Sequence, residues 1–207
     1  MNYNLYKILH ITTSLKCKWY KMWNPVKFKA LGIHVGKHSS MMNNIDVRVA
    51  PNAQINIGEH FTALSGDSLN ALCRNTHLCL KVEDGASLTI GSWTGISGGC
   101  IWVSKSVSIG NHVNIGANCL IIDGDIHNLD WKKRRLGATQ QIPYLKGNVI
   151  IEDDAWIGAN SIILKGVVIG KRSVIGAGSI VTHSIPSDCI AAGNPCKIIR
   201  RGKNECN

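Results

Sequence analysis

The sequence predicts an all-β solenoid, a parallel β-helix of hexapeptide repeats, and three observations carry that reading. Positions at a strict six-residue spacing hold only Ile or Val: Val103, Ile109, Ile115, Ile121, then Ile151, Ile157, Ile163, Ile169, Ile175 and Val181. Half of them precede a glycine (Gly110, Gly116, Gly158, Gly170, Gly176). The fourth residue after each is usually small or β-branched, as in Val107, Val113, Cys119, Ala155, Ser161, Val167, Ser173 and Ser179. In an extended chain positions i, i+4 and i+6 share a face, because strand side chains alternate. A glycine once per hexad allows a corner that a Cβ would crowd. Short strands, tight corners and one buried aliphatic ladder follow.

The elements divide into three stretches. Residues 1–30 form a basic amphipathic segment of helical spacing: Leu5, Ile8, Leu9, Ile11, Leu15, Trp19, Met22 and Trp23 recur among lysines. Residues 1–45 hold Lys7, Lys16, Lys18, Lys21, Lys27, Lys29 and Lys37 and no acid. Such a helix suits an anionic membrane surface; it equally suits a cap on the open end of a solenoid. No nucleic-acid motif accompanies the charge, so no nucleic-acid partner is expected. Residues 31–183 form the β-helix. Its early part is looser, with hexad starts at Val35-Gly36, Ile57-Gly58 and Ile90-Gly91 and an alternating Ile45, Val47, Val49. A polar insertion at 123–148, DGDIHNLDWKKRRLGATQQIPYLKGN, interrupts the regular part and is expected to loop out. Residues 184–207 form a Pro- and Gly-punctuated cap with a basic tail.

Composition agrees with one domain. The chain has 207 residues, 44 % of them hydrophobic and 6 % aromatic, as stacked aliphatic ladders require, with a net charge of +10. The eight cysteines form no CxxC pair and read as reduced packing residues, Cys100 and Cys119 among them, in a cytoplasmic protein. Charged and polar residues break up any apolar run of signal-peptide or membrane-span length.

From Trp156 onward, WIGANSIILKGVVIGKRSVIGAGSIVTHSIPSDCIAAGNPCKIIR resembles the hexapeptide-repeat acyltransferases. The branch it looks most like contains maltose, galactoside and xenobiotic acetyltransferases and capsule or exopolysaccharide O-acetyltransferases. The resemblance runs from about Gly85 to Arg201 and includes IGNHVNIGANCLIID and the HNLD of the insertion. It implies a left-handed β-helix of three hexads per coil, although the general crossover rule is right-handed. It also implies a homotrimer with active sites between subunits, and acetyl-coenzyme A as co-substrate.

The resemblance places the general base at His127. Acetyl transfer to an alcohol must remove a proton of negligible acidity at neutral pH, and neutral imidazole is suited to take it. Position alone would make His127 a surface-loop residue bonded to Asp125 or Asp130. For the cofactor arm the family uses later coils, here Trp156, Ala159, Gly176 and Ala177, with the Ala159 N–H a candidate oxyanion donor. Thr182 matches a cofactor-contacting Thr, while His183 stands where galactoside enzymes have Lys. Lys197 and Arg200 match a basic pair that meets the nucleotide phosphates, which a point charge and a bidentate fork suit. The same glycines and alanines serve as corners in any case, and the tail charges can be plain solvated surface. Ser97 with Gly98, and Asp123, Asp125, Asp130 and Trp131, are candidates to orient a sugar by hydrogen bonds and stacking. The acceptor expected is a hydroxyl of a cell-surface polysaccharide or its lipid-linked precursor; a free sugar or an antibiotic is the alternative. Direct transfer, without a covalent enzyme intermediate, goes with the lack of a nucleophilic Cys near the loop. Two other readings compete: a metal site from His77, His112 and His127, and a noncatalytic scaffold.

Overall fold

A computed structural model describes residues 3–66, 68–74, 76–136 and 144–202, and of residues 3–10 and 12 the backbone alone. Cys206, loop residues 137–143 and the side chains of Leu5, Lys7, Ile8 and Leu9 therefore lie outside the described residues.

Three sheets of parallel strands run along the chain from His34 onward. The first contains His34–Val35, Gln54–Ile57, Ser87–Ile90, Ser106–Ile109, Val149–Ile151 and Val168–Ile169. The second stacks Ser40–Met42, Thr62–Leu64, Gly95–Ser97, Asn114–Ile115, Trp156–Ile157, Val174–Ile175 and Cys189–Ala192, and Lys197–Arg201 closes it antiparallel. The third stacks Ile45–Val49, Leu78–Val82, Gly99–Val103, Leu120–Ile122, Ile162–Ile163 and Ile180–Val181. The chain visits the sheets in rotation. Ile151 pairs with Ile169, Ile157 with Ile175 and Ile163 with Val181, so each regular coil is three hexads. In the earlier coils Ile57 pairs with Ile90, and the surplus is spent in a turn around the short 3-10 helix Ala71–Cys73.

Every one of the Ile/Val ladder positions is buried, and so are the i+4 residues from Val107 to Ser179. The buried serines turn their hydroxyls to corner carbonyls: Ser161 Oγ donates to Gly158 O (2.7 Å) and Ser173 Oγ to Pro186 O (2.6 Å). A buried hydroxyl without such a partner would be costly.

The hexad glycines act through coil spacing. A Cβ on Gly110 would lie 2.7 Å from Asp153 N, and one on Gly158 would lie 2.5 Å from Ala177 N. Positive φ falls instead on the second residue after the glycine: His38, His60, Trp93 and His112 have φ of 59°, 55°, 60° and 56°.

The N-terminal helix spans Tyr3–Ala30 and its end seals the first coil. Phe28 enters the core, Asn24 Nδ2 donates to Met41 O (3.0 Å) and Asn43 O (2.8 Å), and Lys27 Nζ donates to Ile45 O. The helix thus supplies donors to carbonyls that have no preceding coil. Burial pulls the Lys27 ammonium down, against the charge of Asp46. No helix is long and apolar enough to cross a membrane, among the described residues.

Candidate functional site

The insertion leaves the solenoid after Leu120–Ile122 and returns at Val149–Ile151. Its base is an antiparallel bridge between Gly124 and Lys146, beside the bond from Gly147 N–H to Asp123 O (2.8 Å). Tyr144 and Lys146 on the returning limb grip the previous coil. Tyr144 Oη donates to Glu83 Oε2 (2.8 Å) and lies 2.9 Å from Ser104 Oγ, and Lys146 Nζ donates to Ser104 O (2.8 Å). Burial would raise the Glu83 carboxyl, but hydrogen bonds from Trp102 and Tyr144 and the charge of Lys146 hold it below the ordinary carboxylate range.

Asp123 is a correction to the sequence reading. Its carboxylate is fully buried and accepts the backbone N–H groups of Ser104 (2.6 Å), Lys105 (2.7 Å) and Ser106 (2.7 Å). Both oxygens are committed to a turn of the preceding coil, so they do not face an acceptor. Asp125 and Asp130 also have intramolecular work. Asp125 Oδ1 pairs with Lys165 Nζ at 2.5 Å, tying the outgoing limb to the next coil, while its Oδ2 is buried without a partner. Asp130 caps the short helix Trp131–Leu136, accepting from Lys132 N–H through Oδ1 (2.9 Å).

Between them the HNLD turn is clamped. Arg134 Nη1 donates to Asn128 O (3.0 Å) and Leu129 O (2.7 Å), and Asp130 N–H donates to Asn128 Oδ1 (2.9 Å). His127 projects from this turn, exposed. The two carboxylates that position alone would assign to it are thus engaged with lysine and with the helix start. Trp131 is exposed too, with the Arg135 guanidinium 4.5 Å from its ring centroid.

Ser97 and Trp156 come together. They line a cleft of about 530 Å³ on the second sheet, together with Thr62, Thr94 and Asn114. His38, His60 and Trp93 of its lining belong to a column of stacked rings that the sequence reading did not single out and that continues to His112. The His38 and His60 centroids are 4.9 Å apart, those of His60 and Trp93 3.7 Å, and those of Trp93 and His112 6.1 Å. A signal for it existed: an aromatic ring stands two residues after Gly36, Gly58, Gly91 and Gly110 alike.

The cofactor candidates occupy the last coils. Gly158 and Ala177 are in the near-contact described above, and Gly116 stands likewise against Ala159, whose N would be 2.6 Å from a Cβ. Ala159 O accepts from Gly178 N–H (2.8 Å), and the Gly176 carbonyl accepts from Ser161 and Ser179. Ala177, Thr182, His183, Lys197 and Arg200 are exposed, and Thr182 Oγ1 lies 2.8 Å from His183 Nδ1.

His77 sits beside Ser65 (3.3 Å), His112 in the ring column and His127 on the loop. Among the described residues no three His, Cys, Asp or Glu side chains are gathered to hold a metal ion. Cys119 is buried against Gly158 O, and burial lifts its thiol to about 11. Cys100 departs from the packing role read for it: it is half-buried on the outward face, opposite Cys79. The Cys79 thiol, helped by Lys81 and Arg48, pulls Cys100 to about 7 against burial, and Cys79 itself is pushed up.

Comparison with known proteins follows the same coils. Residues 106–124 and 148–183 match the family model of the hexapeptide repeat of succinyl-transferase. The chain is a hexapeptide-repeat solenoid, and the proteins it resembles are the acetyltransferases built on that repeat. A putative acetyltransferase of Schizosaccharomyces pombe is 42% identical over 99 residues, covering 48% of this chain and 45% of the relative. The galactoside O-acetyltransferase of Lactococcus lactis is 45% identical over 95 residues, covering 46% of this chain and 43% of the relative. The chain spans less than half the length of these two curated relatives. A solved hexapeptide-repeat-containing acetyltransferase of Vibrio cholerae is 27% identical with a TM-score of 0.53, over 82% of this chain and 74% of that one.

Proposed function

We propose that the protein is an acetyl-coenzyme A-dependent O-acetyltransferase that acts on a sugar hydroxyl. The observation that carries this reading is His127, presented to solvent by a turn that Arg134, Asn128 and Asp130 hold in place. The likeness to a galactoside O-acetyltransferase supports the reaction class. An imidazole nitrogen of His127 takes the hydroxyl proton as the oxygen attacks the acetyl carbonyl. The Ala159 amide stabilises the oxyanion; the C–S bond breaks, and the imidazolium returns its proton to the coenzyme A sulfur. The products are the acetyl ester and free coenzyme A. The coils are left-handed and three chains assemble around sites between neighbours. Ser97 and the exposed Trp156 face the reactants from the cleft, and Trp131 and the open edge of Asp130 meet the sugar from the loop. The acceptor is a cell-surface polysaccharide or its lipid-linked precursor, modified on the cytoplasmic side, where acetyl-coenzyme A is supplied. A thiol-release assay with acetyl-coenzyme A against free sugars, glycan acceptors and chloramphenicol-like drugs tests this. Release with none of them, by protein that binds coenzyme A, would reject it.

Two consequences are measurable. Replacing Lys197 and Arg200 by Ala removes two exposed cations assigned to phosphate. The KM for acetyl-coenzyme A should rise about tenfold or more with kcat nearly kept, because ground and transition states share that contact. An unchanged KM would place the phosphates elsewhere. Lys165→Met cuts the tie to Asp125 that holds the outgoing limb. Transfer should fall about ten- to hundredfold, since misplacement of a catalytic group by about 1 Å is that costly. Stability should change by no more than about 1 kcal/mol, because the pair is part-exposed and screened. Equal turnover in variant and parent would mean that the tie does not position His127.

A further inference from the structure

We propose that the outer face of the N-terminal helix is a docking surface for an anionic lipid bilayer, on which the helix lies flat. Ile11, Leu15, Trp19, Met22, Trp23 and Val26 are all exposed, Trp19 by 62% and Met22 by 73%. At about 100° per residue these six fall within one sector of about 120°. The sector opposite is the one already occupied, by Asn24 and Phe28 sealing the first coil. The solenoid therefore fixes the rotation of the helix and leaves its apolar stripe pointing away from the rest of the chain. A monomer seldom leaves such a stripe without a partner.

Charge and aromatic placement select the partner. Lys16 flanks the stripe on one side and Lys18 on the other, Lys29 lies on the edge next to Lys18, and all three are exposed. No acid occurs in residues 1–45. Trp19 and Trp23 stack, with centroids 6.4 Å apart and planes 13° apart, so the two indoles project side by side from successive turns of one face. An apolar strip bordered by lysines with paired indoles is the composition that enters the boundary between headgroups and acyl chains. Self-pairing of two such helices would bring lysine borders together with no acid in the segment to offset them. The helix is not apolar enough to cross a membrane, which leaves lying in the interface as the mode of attachment.

The test uses the full-length protein with sucrose-loaded vesicles of phosphatidylcholine alone or with added phosphatidylglycerol. The parent should pellet only with the anionic vesicles. Pelleting should be lost when salt rises from about 0.1 M to about 1 M, which shortens the screening length from about 10 Å to about 3 Å. Trp fluorescence should shift to the blue on binding. Lys16→Glu with Lys18→Glu should weaken binding at least about twenty-five-fold, about fivefold for each cation removed. Trp19→Ser with Met22→Ser should abolish it. Both variants should retain the parental thermal transition and the parental mass by light scattering. Equal pelleting with neutral and anionic vesicles, or none with either, overturns the proposal. Charge-reversed protein that binds like the parent overturns it too. A fall in particle mass in the Trp19/Met22 variant, with no lipid binding by the parent, would assign the stripe to a second copy of the chain instead. Should that variant not fold, the lipid and salt series on the parent and the exposed-lysine variant still decide.

Discussion

His127→Ala is expected to lower acetyl transfer about a hundred- to ten-thousandfold, or about 3–5 kcal/mol of barrier, the usual worth of a positioned general base. Folding should be untouched, because the side chain is exposed and the turn is held by Arg134, Asn128 and Asp130. Cofactor affinity should also hold, since the groups assigned to it belong to the last coils. Single-turnover transfer from acetyl-coenzyme A, with a coenzyme A titration alongside, separates these effects. Retention of more than about a tenth of the parental rate, where chemistry limits, would remove His127 from the role of base.

Asp123→Ala should produce the largest loss of stability. Three backbone N–H groups, that of Ser104 buried and those of Lys105 and Ser106 partly so, lose their acceptor. An unsatisfied buried donor costs about 1–3 kcal/mol and a partly buried one less, so the expected loss is about 3 kcal/mol. Set against a total stability of about 5–15 kcal/mol, that is a large share. The thermal midpoint of a chain this size should fall by about 6–12 °C. Asp123→Asn keeps one acceptor oxygen and should lose less. Calorimetry on the three proteins checks the order, and a drop of under about 1 kcal/mol in Asp123→Ala would mean that the turn relaxes to find other partners.

What the sequence disclosed depended on repetition. The ladder from Val103 to Val181 was legible because each hexad imposes the same demand: an aliphatic at the strand, a small side chain four on, and no Cβ where the next coil passes. Extra residues between Ile57 and Ile90 put the early coils out of phase, so their register could not be read before the pairing was seen. Asp123 was misread for a different reason. A carboxylate at a loop base looks the same whether it faces a ligand or three amides, and its amides belong to the preceding coil, where no local spacing marks them. The ring column of His38, His60, Trp93 and His112 was present at a constant offset from glycine, but adjacency appears only once the coils are stacked. The clamp of Arg134 and the tie of Lys165 are long-side-chain contacts, and sequence carries no distance for those.

The rotation of the chain through three sheets also governs how the protein can change over evolutionary time. Gain or loss of a single hexad between Ser104 and Asp123 would keep the ladder Ile and Val inward, so the core would tolerate it. It would nevertheless carry the His127 loop, together with Lys165 and the coils that follow, onto the neighbouring side of the prism, out of line with the earlier coil that Tyr144 and Lys146 grip. Gain or loss of a whole coil restores the side and shifts the loop only along the axis. Length variation in this architecture is therefore quantised twice: in hexads for the ability to fold, and in coils for the geometry between loop and groove.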